Sequence, residues 1–156
     1  MANQKGFSLL EALSVMAILS LITMISYPAI AGWKATVNLR TEIMTLRGNV
    51  MRAKLEAINN NVPVAVQLRN NGYMIFVDDG SGGGVRDDGV MQADERELVD
   101  HQITDEVSLS DNFPNSRFHF SGRVGTKPGT IKLVDQKGNE MKLIFNNSGR
   151  ARIEKG

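Results

Sequence analysis

The sequence contains no cysteine and only two histidines, His101 and His119. Without a thiol there is no disulfide framework, no zinc–thiolate site and no cysteine nucleophile. Each histidine lies in a different predicted strand with no second metal ligand at a characteristic spacing, so we interpret both as ordinary strand residues. The sequence also lacks the G-x-S-x-G and H-E-x-x-H motifs of serine hydrolases and zinc proteases. We therefore predict a protein that is not an enzyme and uses no metal or other cofactor.

Charge is almost absent from one stretch, because Glu11 is the only charged residue in the apolar run over residues 9–33. Elsewhere it is uneven: residues 34–77 carry a net charge of +4, residues 78–111 of −9 and residues 112–156 of +6, within a total of +1. This predicts a polarised molecule if the segments stay apart in the fold, and no charged patch if the fold interleaves them.

The apolar run is long enough to cross a membrane as a helix. After Glu11 there are 22 uncharged residues before Lys34, and a spanning helix needs about 20. A cleaved signal peptide has a shorter apolar core of about 7–15 residues, although Ala29-Ile30-Ala31 has the A-x-A form of a cleavage site. A plain membrane anchor fits the length but leaves Glu11 unexplained, because a carboxylate at mid-bilayer costs about 2.5–3.5 kcal/mol.

The start of the run, GFSLLE at residues 6–11, resembles the cleavage motif of type IV prepilins and type II secretion pseudopilins. That motif is a short charged leader ending in glycine, followed by phenylalanine and by a glutamate fifth after the cut. The resemblance implies that residues 1–6 are a leader peptide, that prepilin peptidase cuts between Gly6 and Phe7, and that the new amine of Phe7 is methylated. Pro28 falls where many pilins carry a helix-kinking proline.

The same resemblance implies a role for Glu11. In an assembled filament the N-terminal helices bundle in an apolar centre, where Glu11 would pair with the cationic amine of Phe7 on a neighbouring subunit. A subunit docked at the wrong height would leave both charges buried and unpaired, so the pair would set the register of assembly.

Beyond Lys34 an amphipathic helical pattern continues, with apolar residues recurring at alternating intervals of four and three. These positions are Leu39, Ile43, Leu46, Val50, Ala53 and Ala57. Three asparagines and then Val62-Pro63 predict the end of the helix, so we expect one helix from about Phe7 to Asn59.

Strand patterns follow the helix. Alternating apolar residues over 62–68, an Asn71-Gly72 turn and the segment 73–78 predict a hairpin. Further strands are predicted at 97–103, 106–110, 116–122, 129–135, 140–146 and 150–153. A helix followed by strands indicates an α+β fold: a long, kinked N-terminal helix, apolar in its first half and amphipathic in its second, packed on a small antiparallel β-sheet domain built of one sheet or two.

The chain beyond the leader also resembles the GspH/FimT group, which comprises minor pseudopilins of type II secretion and minor pilins of type IV pili. The resemblance rests on the order of four segments, RAKLEAINNNVPV, YMIFVDDGSGGG, GTIKL and SGRARI. It implies a pilin-like organisation: a leader peptide at 1–6, a hydrophobic transmembrane or filament-core helix at 7–33, and a periplasmic GspH/FimT-like α+β domain at 34–156.

The segment DDGSGGGVRDDG at residues 78–89 is a candidate calcium loop. Asp78, Asp79, Asp87 and Asp88 offer hard oxygen ligands. The segment lacks the glutamate that an EF-hand has at its twelfth position, and it lacks the G-K-[ST] of a phosphate-binding loop. We interpret it as a flexible loop and leave calcium binding open.

The C-terminal segment NSGRARIEKG is a candidate DNA-binding site. In a strand, Arg150 and Arg152 would share one face, where two guanidinium groups suit phosphate oxygens. Some members of the FimT branch bind DNA for uptake through a C-terminal G-R-x-R-x-x-R motif. This chain departs from that motif at its last position, which is Lys155, and strand alternation puts Lys155 on the opposite face. The alternative is a solvated final strand.

Together these features predict a minor pilin or pseudopilin that helps prime or cap assembly of a type IV pilus or a type II secretion pseudopilus. The alternative is a DNA-binding minor pilin that acts in DNA uptake. The expected partners are prepilin peptidase, the major and other minor pilins or pseudopilins, the inner membrane and, in the alternative, DNA. The expected location is the inner membrane, as a single-pass protein with a periplasmic C-terminal domain, and then the pilus or pseudopilus.

Overall fold

The structure, a computed structural model, describes residues 8–121 and 126–156, with the side chains of residues 25–32 outside that description. Within these residues it contains one long helix and eight strands. The elements are α1 (Leu9–Asn60), β1 (Val64–Arg69), β2 (Gly72–Val77), β3 (Glu97–Gln102), β4 (Val107–Asp111), β5 (Arg117–Phe120), β6 (Gly129–Asp135), β7 (Glu140–Phe145) and β8 (Ala151–Lys155). Every strand lies where the sequence predicted one.

The chain divides into two compact units, one up to Lys34 and one spanning Ala35–Gly156. In the first unit the structure describes the first part of α1, where the side chains of residues 9–24 are exposed. Among the described residues, no helical stretch is long and apolar enough to cross a membrane.

In the second unit, α1 buries the apolar stripe that the sequence predicted. All six positions are 0–2% exposed, from Leu39 at one end to Ala57 at the other. The helix ends at Asn60, because Asn61 has a left-handed backbone with φ of 52° and Pro63 cannot donate the backbone hydrogen bond of a further turn. The amphipathic pattern and its stop signal are therefore confirmed.

The strands form two four-stranded antiparallel sheets, so the prediction that allowed one sheet or two is settled in favour of two. The first sheet has the order β3-β2-β1-β5 and the second the order β4-β6-β7-β8. The predicted hairpin joins β1 and β2, with Arg69 opposite Gly72 next to the turn. Within the described residues, β8 pairs with β7 alone and forms one edge of the second sheet.

Both sheets and the helix stripe contribute to one apolar core. An aromatic cluster joins the two sheets: Phe118 of β5 lies 5.2 Å, between ring centroids, from Phe145 of β7. Phe113, from the connection before β5, stacks on Phe118 at 4.5 Å. The predicted α+β architecture is thus confirmed, and burial of this shared core provides its main stabilisation.

Candidate functional site

Glu11 lies in the first turn of α1, on an exposed apolar helix. A negative charge is favourable there because the free N–H groups give a helix N-terminus a partial positive charge. Ser8 precedes the helix, and its side-chain oxygen accepts a long hydrogen bond of 3.4 Å from the Leu10 N–H. Among the described residues, the Glu11 carboxylate has no hydrogen-bond or ion-pair partner of its own.

The serine and threonine side chains that follow Glu11 donate hydrogen bonds to backbone carbonyls of the same helix. The Ser14 hydroxyl donates to the Leu10 carbonyl at 2.8 Å, and the Ser20 hydroxyl donates to the Ala17 carbonyl at 2.7 Å. The Thr23 hydroxyl lies 2.9 Å from the Ser20 carbonyl in the same manner. These three hydroxyl groups can enter an apolar environment at little cost, whereas the Glu11 carboxylate needs a partner from outside its helix.

The predicted processing site lies outside the described residues, since it consists of Gly6 and Phe7. Pro28 lies within α1, but its side chain is also outside the description. Cleavage after Gly6, methylation of Phe7 and the kink at Pro28 therefore stay predictions.

At the C-terminus, the turn between β7 and β8 is held from two sides. The Asn146 side-chain oxygen accepts hydrogen bonds from the Arg150 N–H at 2.9 Å and from the Ser148 hydroxyl at 2.8 Å. From α1, the Lys54 ammonium donates to the Ser148 carbonyl at 2.7 Å. Gly149 has a left-handed backbone with φ of 68°, a conformation that favours glycine. These contacts fix the start of β8.

Arg150 and Arg152 are both exposed and line one shallow groove of about 320 Å³. The groove is completed by Ile144, Asn146 and Ala151. Arg152 also pairs with Glu154, whose carboxylate is 2.7 Å away, although the Arg152 side chain keeps 71% of its exposure. The two arginines of the candidate DNA site thus line the same groove, but Arg152 already has a carboxylate partner.

Strand alternation separates Lys155 from that groove. Arg152 lies opposite Ile144 of β7, whereas Lys155 lies opposite Met141, three positions further along. Because successive side chains of a strand point to opposite faces, Lys155 and Arg152 belong to different faces of the second sheet. Ala151 is packed against the core, as the alternation predicted.

The outer face of the second sheet carries further paired charges. Glu140 of β7 accepts hydrogen bonds from Lys132 of β6 and from Lys142, the latter at 2.8 Å. The hydrogen bonds and positive charges of these two lysines lower the pKa of Glu140 from 4.5 to about 2. Two lysines thus share one carboxylate, and residues 112–156 keep their net charge of +6.

This cluster predicts a dependence of stability on pH. Because the pKa of Glu140 is lower in the folded protein, the ionised carboxylate stabilises the fold above about pH 4.5, and that contribution is lost as the pH falls towards 2. We expect the unfolding midpoint of Glu140→Gln to fall less over this range than that of the unchanged protein, measured by circular dichroism. Glu97→Gln, on β3, is the matched control and should keep the original profile; equal profiles for all three proteins would contradict the prediction.

Aspartates of the candidate calcium loop accept hydrogen bonds from backbone N–H groups of the same loop. Asp78 is fully buried, and its two carboxylate oxygens accept from the Asp87 N–H at 2.9 Å and the Gly89 N–H at 2.7 Å. Burial raises the pKa of Asp78, and these two backbone hydrogen bonds oppose that rise. Asp79 accepts from the Ser81 N–H, and Asp88 accepts from the Val90 N–H.

Glu95 closes the same loop from its other end, with one oxygen accepting from the Gly80 N–H at 3.1 Å and the other from the Gln92 N–H at 2.9 Å. Where we expected a flexible loop, the structure has a hydrogen-bonded one that includes a short 3₁₀ turn at Ser81–Gly83. Within residues 8–121 and 126–156, no three acidic or histidine side chains are grouped as metal ligands.

The two histidines lie in strands, as predicted, and each faces a carboxylate. His101 Nε2 is 2.9 Å from a carboxylate oxygen of Glu42 on α1, and the His101 ring packs 5.1 Å from the buried ring of Tyr73. His119 Nε2 is 3.6 Å from Asp87. The pair of His101 and Glu42 links the helix to the first sheet.

Sequence reasoning missed Lys54, Glu42 and Glu95 as organising residues. Their partners lie 94, 59 and 15 residues away along the chain, respectively. No local spacing signals the pairs of Lys54 and Glu42, because the fold brings together residues that are far apart in the chain.

Comparison with known proteins adds two family matches. Residues 42–149 match the family described as type II transport protein GspH, and residues 1–27 match the prokaryotic N-terminal methylation motif. No curated protein sequence matches the chain.

Solved structures of two filament proteins have similar folds. The minor pseudopilin EpsH of the type 2 secretion system of Vibrio cholerae superposes with a TM-score of 0.60 at 9% identity, covering 76% of this chain and 97% of EpsH. The type IV minor pilin FimU of Pseudomonas aeruginosa superposes with a TM-score of 0.58 at 16% identity, covering 74% of this chain and 87% of FimU. At sequence identities this low, the two comparisons show similarity of fold alone.

Proposed function

We propose that this chain, which belongs to the family of the type II transport protein GspH, helps prime or cap filament assembly. As a member of that family it is a structural subunit of pilin or pseudopilin type and not an enzyme. The filament is a type IV pilus or a type II secretion pseudopilus, and the other subunits are the major and minor pilins or pseudopilins. The observation that carries this proposal is the Glu11 carboxylate, which lies on an exposed apolar helix and has no partner of its own among the residues that the structure describes.

The precursor is proposed to be a single-pass protein of the inner membrane with residues 34–156 in the periplasm. Support comes from the 22 uncharged residues that follow Glu11 and from the match of residues 1–27 to the methylation motif. Prepilin peptidase then removes residues 1–6 and methylates Phe7. This step creates the cationic amine that Glu11 of a neighbouring subunit needs.

In the filament, the Glu11 carboxylate and the Phe7 amine of adjacent subunits neutralise each other in an apolar surrounding. Removing one member of such a buried pair typically costs about 3–5 kcal/mol, because the remaining charge has no partner. The decisive measurement is therefore how much of the protein co-purifies with filaments when Glu11 is changed and the domain stays folded.

A second candidate function is DNA binding through the C-terminal arginines. It is supported by the shared groove of Arg150 and Arg152 and by the exposure of both side chains. The ion pair of Arg152 with Glu154 weakens this candidate, because a phosphate would have to compete with a carboxylate at 2.7 Å.

We expect a fragment of residues 34–156 to bind DNA at low salt if this second function is real. Binding would weaken as salt rises, because each phosphate contact releases counterions. Arg150→Ala/Arg152→Ala should abolish it, while Lys127→Ala/Lys137→Ala, with the same loss of charge, should bind normally. Fluorescence anisotropy over a salt series measures this. Absence of binding by the unchanged fragment, or equal loss in both double variants, would rule out a site at the arginines.

A further inference from the structure

The last strand, β8, has one side that no other strand covers. It runs in unbroken register with β7, from Ala151 opposite Phe145 to Lys155 opposite Met141, and within residues 8–121 and 126–156 no strand pairs with its other side. Natural proteins protect such an edge with a proline, a β-bulge, a covering segment or charged side chains. Of the first two devices β8 has neither, and its charged side chains decide which strand can join it.

The uncovered side of β8 presents backbone groups at alternate residues. At the two ends of the strand, the Asn146 N–H donates to the Arg150 carbonyl, and the Gly156 N–H donates to the Glu140 carbonyl. Because the backbone groups of an antiparallel strand alternate in direction, the even-numbered residues of β8 face β7. The residues that direct both backbone groups outward are Ala151, Ile153 and Lys155.

The side chains of β8 differ between the two faces of the sheet. Ile153 packs against the core but is only partly buried, because the sheet ends beside it. On the opposite face, Arg152 and Glu154 are both exposed and lie 2.7 Å apart. A strand added at this edge would cover Ile153 on one face and meet one positive and one negative charge on the other.

This pattern of charges is complementary to itself. When two antiparallel copies of β8 lie side by side with Ile153 opposite Ile153, Arg152 of each copy lies opposite Glu154 of the other. The same register places Ala151 opposite Lys155, so the outward backbone groups of the two strands face each other and form about six hydrogen bonds. The two Ile153 side chains are direct cross-strand neighbours on the core side.

Other registers of the same two strands are unfavourable. A shift of the second strand by one residue turns its outward backbone groups away from those of the first. A shift by two residues restores the hydrogen bonds but places Arg152 opposite Arg152 in one direction, or Glu154 opposite Glu154 in the other. Like charges directly opposite each other are destabilising. The charges of β8 therefore select a single register with a second copy of β8.

We propose that two copies of this chain associate through β8 and join their second sheets into one continuous antiparallel sheet. The contact has two-fold symmetry and uses the same edge of both copies, so association stops at a dimer. A growing filament needs contacts that repeat from subunit to subunit, and the dimer is therefore a state of the chain outside the filament. There it covers an edge that could otherwise pair with unrelated strands. The inference goes beyond the proposed function, because neither Glu11 nor another subunit takes part.

The lack of cysteine in the chain permits a specific cross-linking test. In a hydrogen-bonded pair of an antiparallel sheet the Cα atoms are about 5.5 Å apart, a separation that a disulfide bond spans. The full chain with Ile153→Cys, purified in a nonionic detergent, is oxidised with copper phenanthroline, and non-reducing gels measure the disulfide-linked dimer. We expect at least about tenfold more dimer than for Val85→Cys, because pairing holds the two thiols together; Val85 is exposed and lies outside β8.

Charge reversals in the Ile153→Cys chain separate strand pairing from other modes of association. Arg152→Glu places glutamate opposite glutamate twice in the dimer and should reduce cross-linking at least about tenfold. Glu154→Arg should act in the same way by placing arginine opposite arginine. The Arg152→Glu/Glu154→Arg double variant exchanges the two charges and should restore cross-linking, and so should a mixture of the two single variants. Their unfolding midpoints should stay unchanged, because both side chains are exposed.

Sedimentation velocity of the same charge variants without the cysteine gives a second readout. Each single variant should sediment as a monomer, whereas their mixture and the unchanged chain should contain the dimer. This measurement does not depend on whether cysteine fits at position 153.

Four results would overturn the proposal. They are equal cross-linking of Ile153→Cys and Val85→Cys, unchanged cross-linking in the single reversals, a folded double variant that does not cross-link, and loss of cross-linking after nuclease treatment, which would make DNA the bridge. Glu11→Ala in the Ile153→Cys chain should cross-link normally, because pairing through β8 requires no filament. A failure of dimer formation is thereby distinguishable from a failure of the assembly role of Glu11.

Discussion

Filaments purified from cells that produce Glu11→Ala are expected to contain at least about tenfold less of this subunit than filaments with the unchanged protein. The expected loss follows from the cost of about 3–5 kcal/mol for leaving one member of a buried ion pair alone, given that each 1.4 kcal/mol is about a factor of ten. The variant should be cleaved normally and its domain should stay folded, because the Glu11 side chain is exposed. Quantitative immunoblotting of filaments and membranes measures the ratio.

Two further variants separate charge from other effects at this position. Glu11→Gln keeps the shape of the side chain but cannot balance a cationic amine, so it should be nearly as defective as alanine. Ser14→Ala is the matched control, because the Ser14 hydroxyl is already bonded within its own helix at 2.8 Å, and it should assemble normally. Normal incorporation of Glu11→Ala would remove the ion pair from our account of assembly.

Phe118→Ala is expected to destabilise the domain by about 3–5 kcal/mol, the range for deleting a buried aromatic side chain. Phe118 is 2% exposed and contacts aromatic rings from both sheets, so its removal leaves a cavity where the sheets meet. A loss of this size is a large share of the total of about 5–15 kcal/mol that stabilises a typical domain. Urea unfolding of the 34–156 fragment, followed by circular dichroism, measures the change.

The controls for this variant test whether the cluster itself matters. Phe118→Leu fills part of the cavity and should lose less than alanine does. Val85→Ala removes an apolar side chain that is 65% exposed and should change the stability by no more than about 0.5 kcal/mol. If Phe118→Ala unfolded at the same urea concentration as Val85→Ala, the aromatic cluster would not be the junction that holds the sheets together.

The C-terminal arginine site shows where sequence reasoning reached its limit. The sequence predicted that Arg150 and Arg152 share a face and that Lys155 does not, because strand alternation is a local rule. It gave no sign that Lys54, 94 residues before Ser148, holds the adjoining turn. Likewise, the sequence marked Asp78 as a candidate metal ligand, whereas the fold buries it as an acceptor for backbone N–H groups.

The sequence by itself determined the elements of this protein. Each pattern that predicted an element is local in the sequence. This holds for the leader motif, the uncharged run after Glu11, the buried stripe of α1 and the eight strands. The local spacing of apolar residues determines which side of a helix or strand is apolar. Local sequence also determined where α1 ends, because Asn61, which adopts a φ of 52°, and Pro63 follow its last residue.

Only the tertiary structure decided which charges are engaged and which apolar face stays uncovered. The order of the strands divides them into two sheets, brings Glu42 to His101 and Glu56 to Arg96, and leaves Arg40, Arg47 and Arg52 at the solvent side of the helix. These outcomes depend on contacts between residues that are far apart in the chain. Such contacts exist only in the folded domain, where the sheets pack on the buried stripe of α1. Other apolar side chains of α1 stay exposed, and packing alone distinguishes them from the buried stripe.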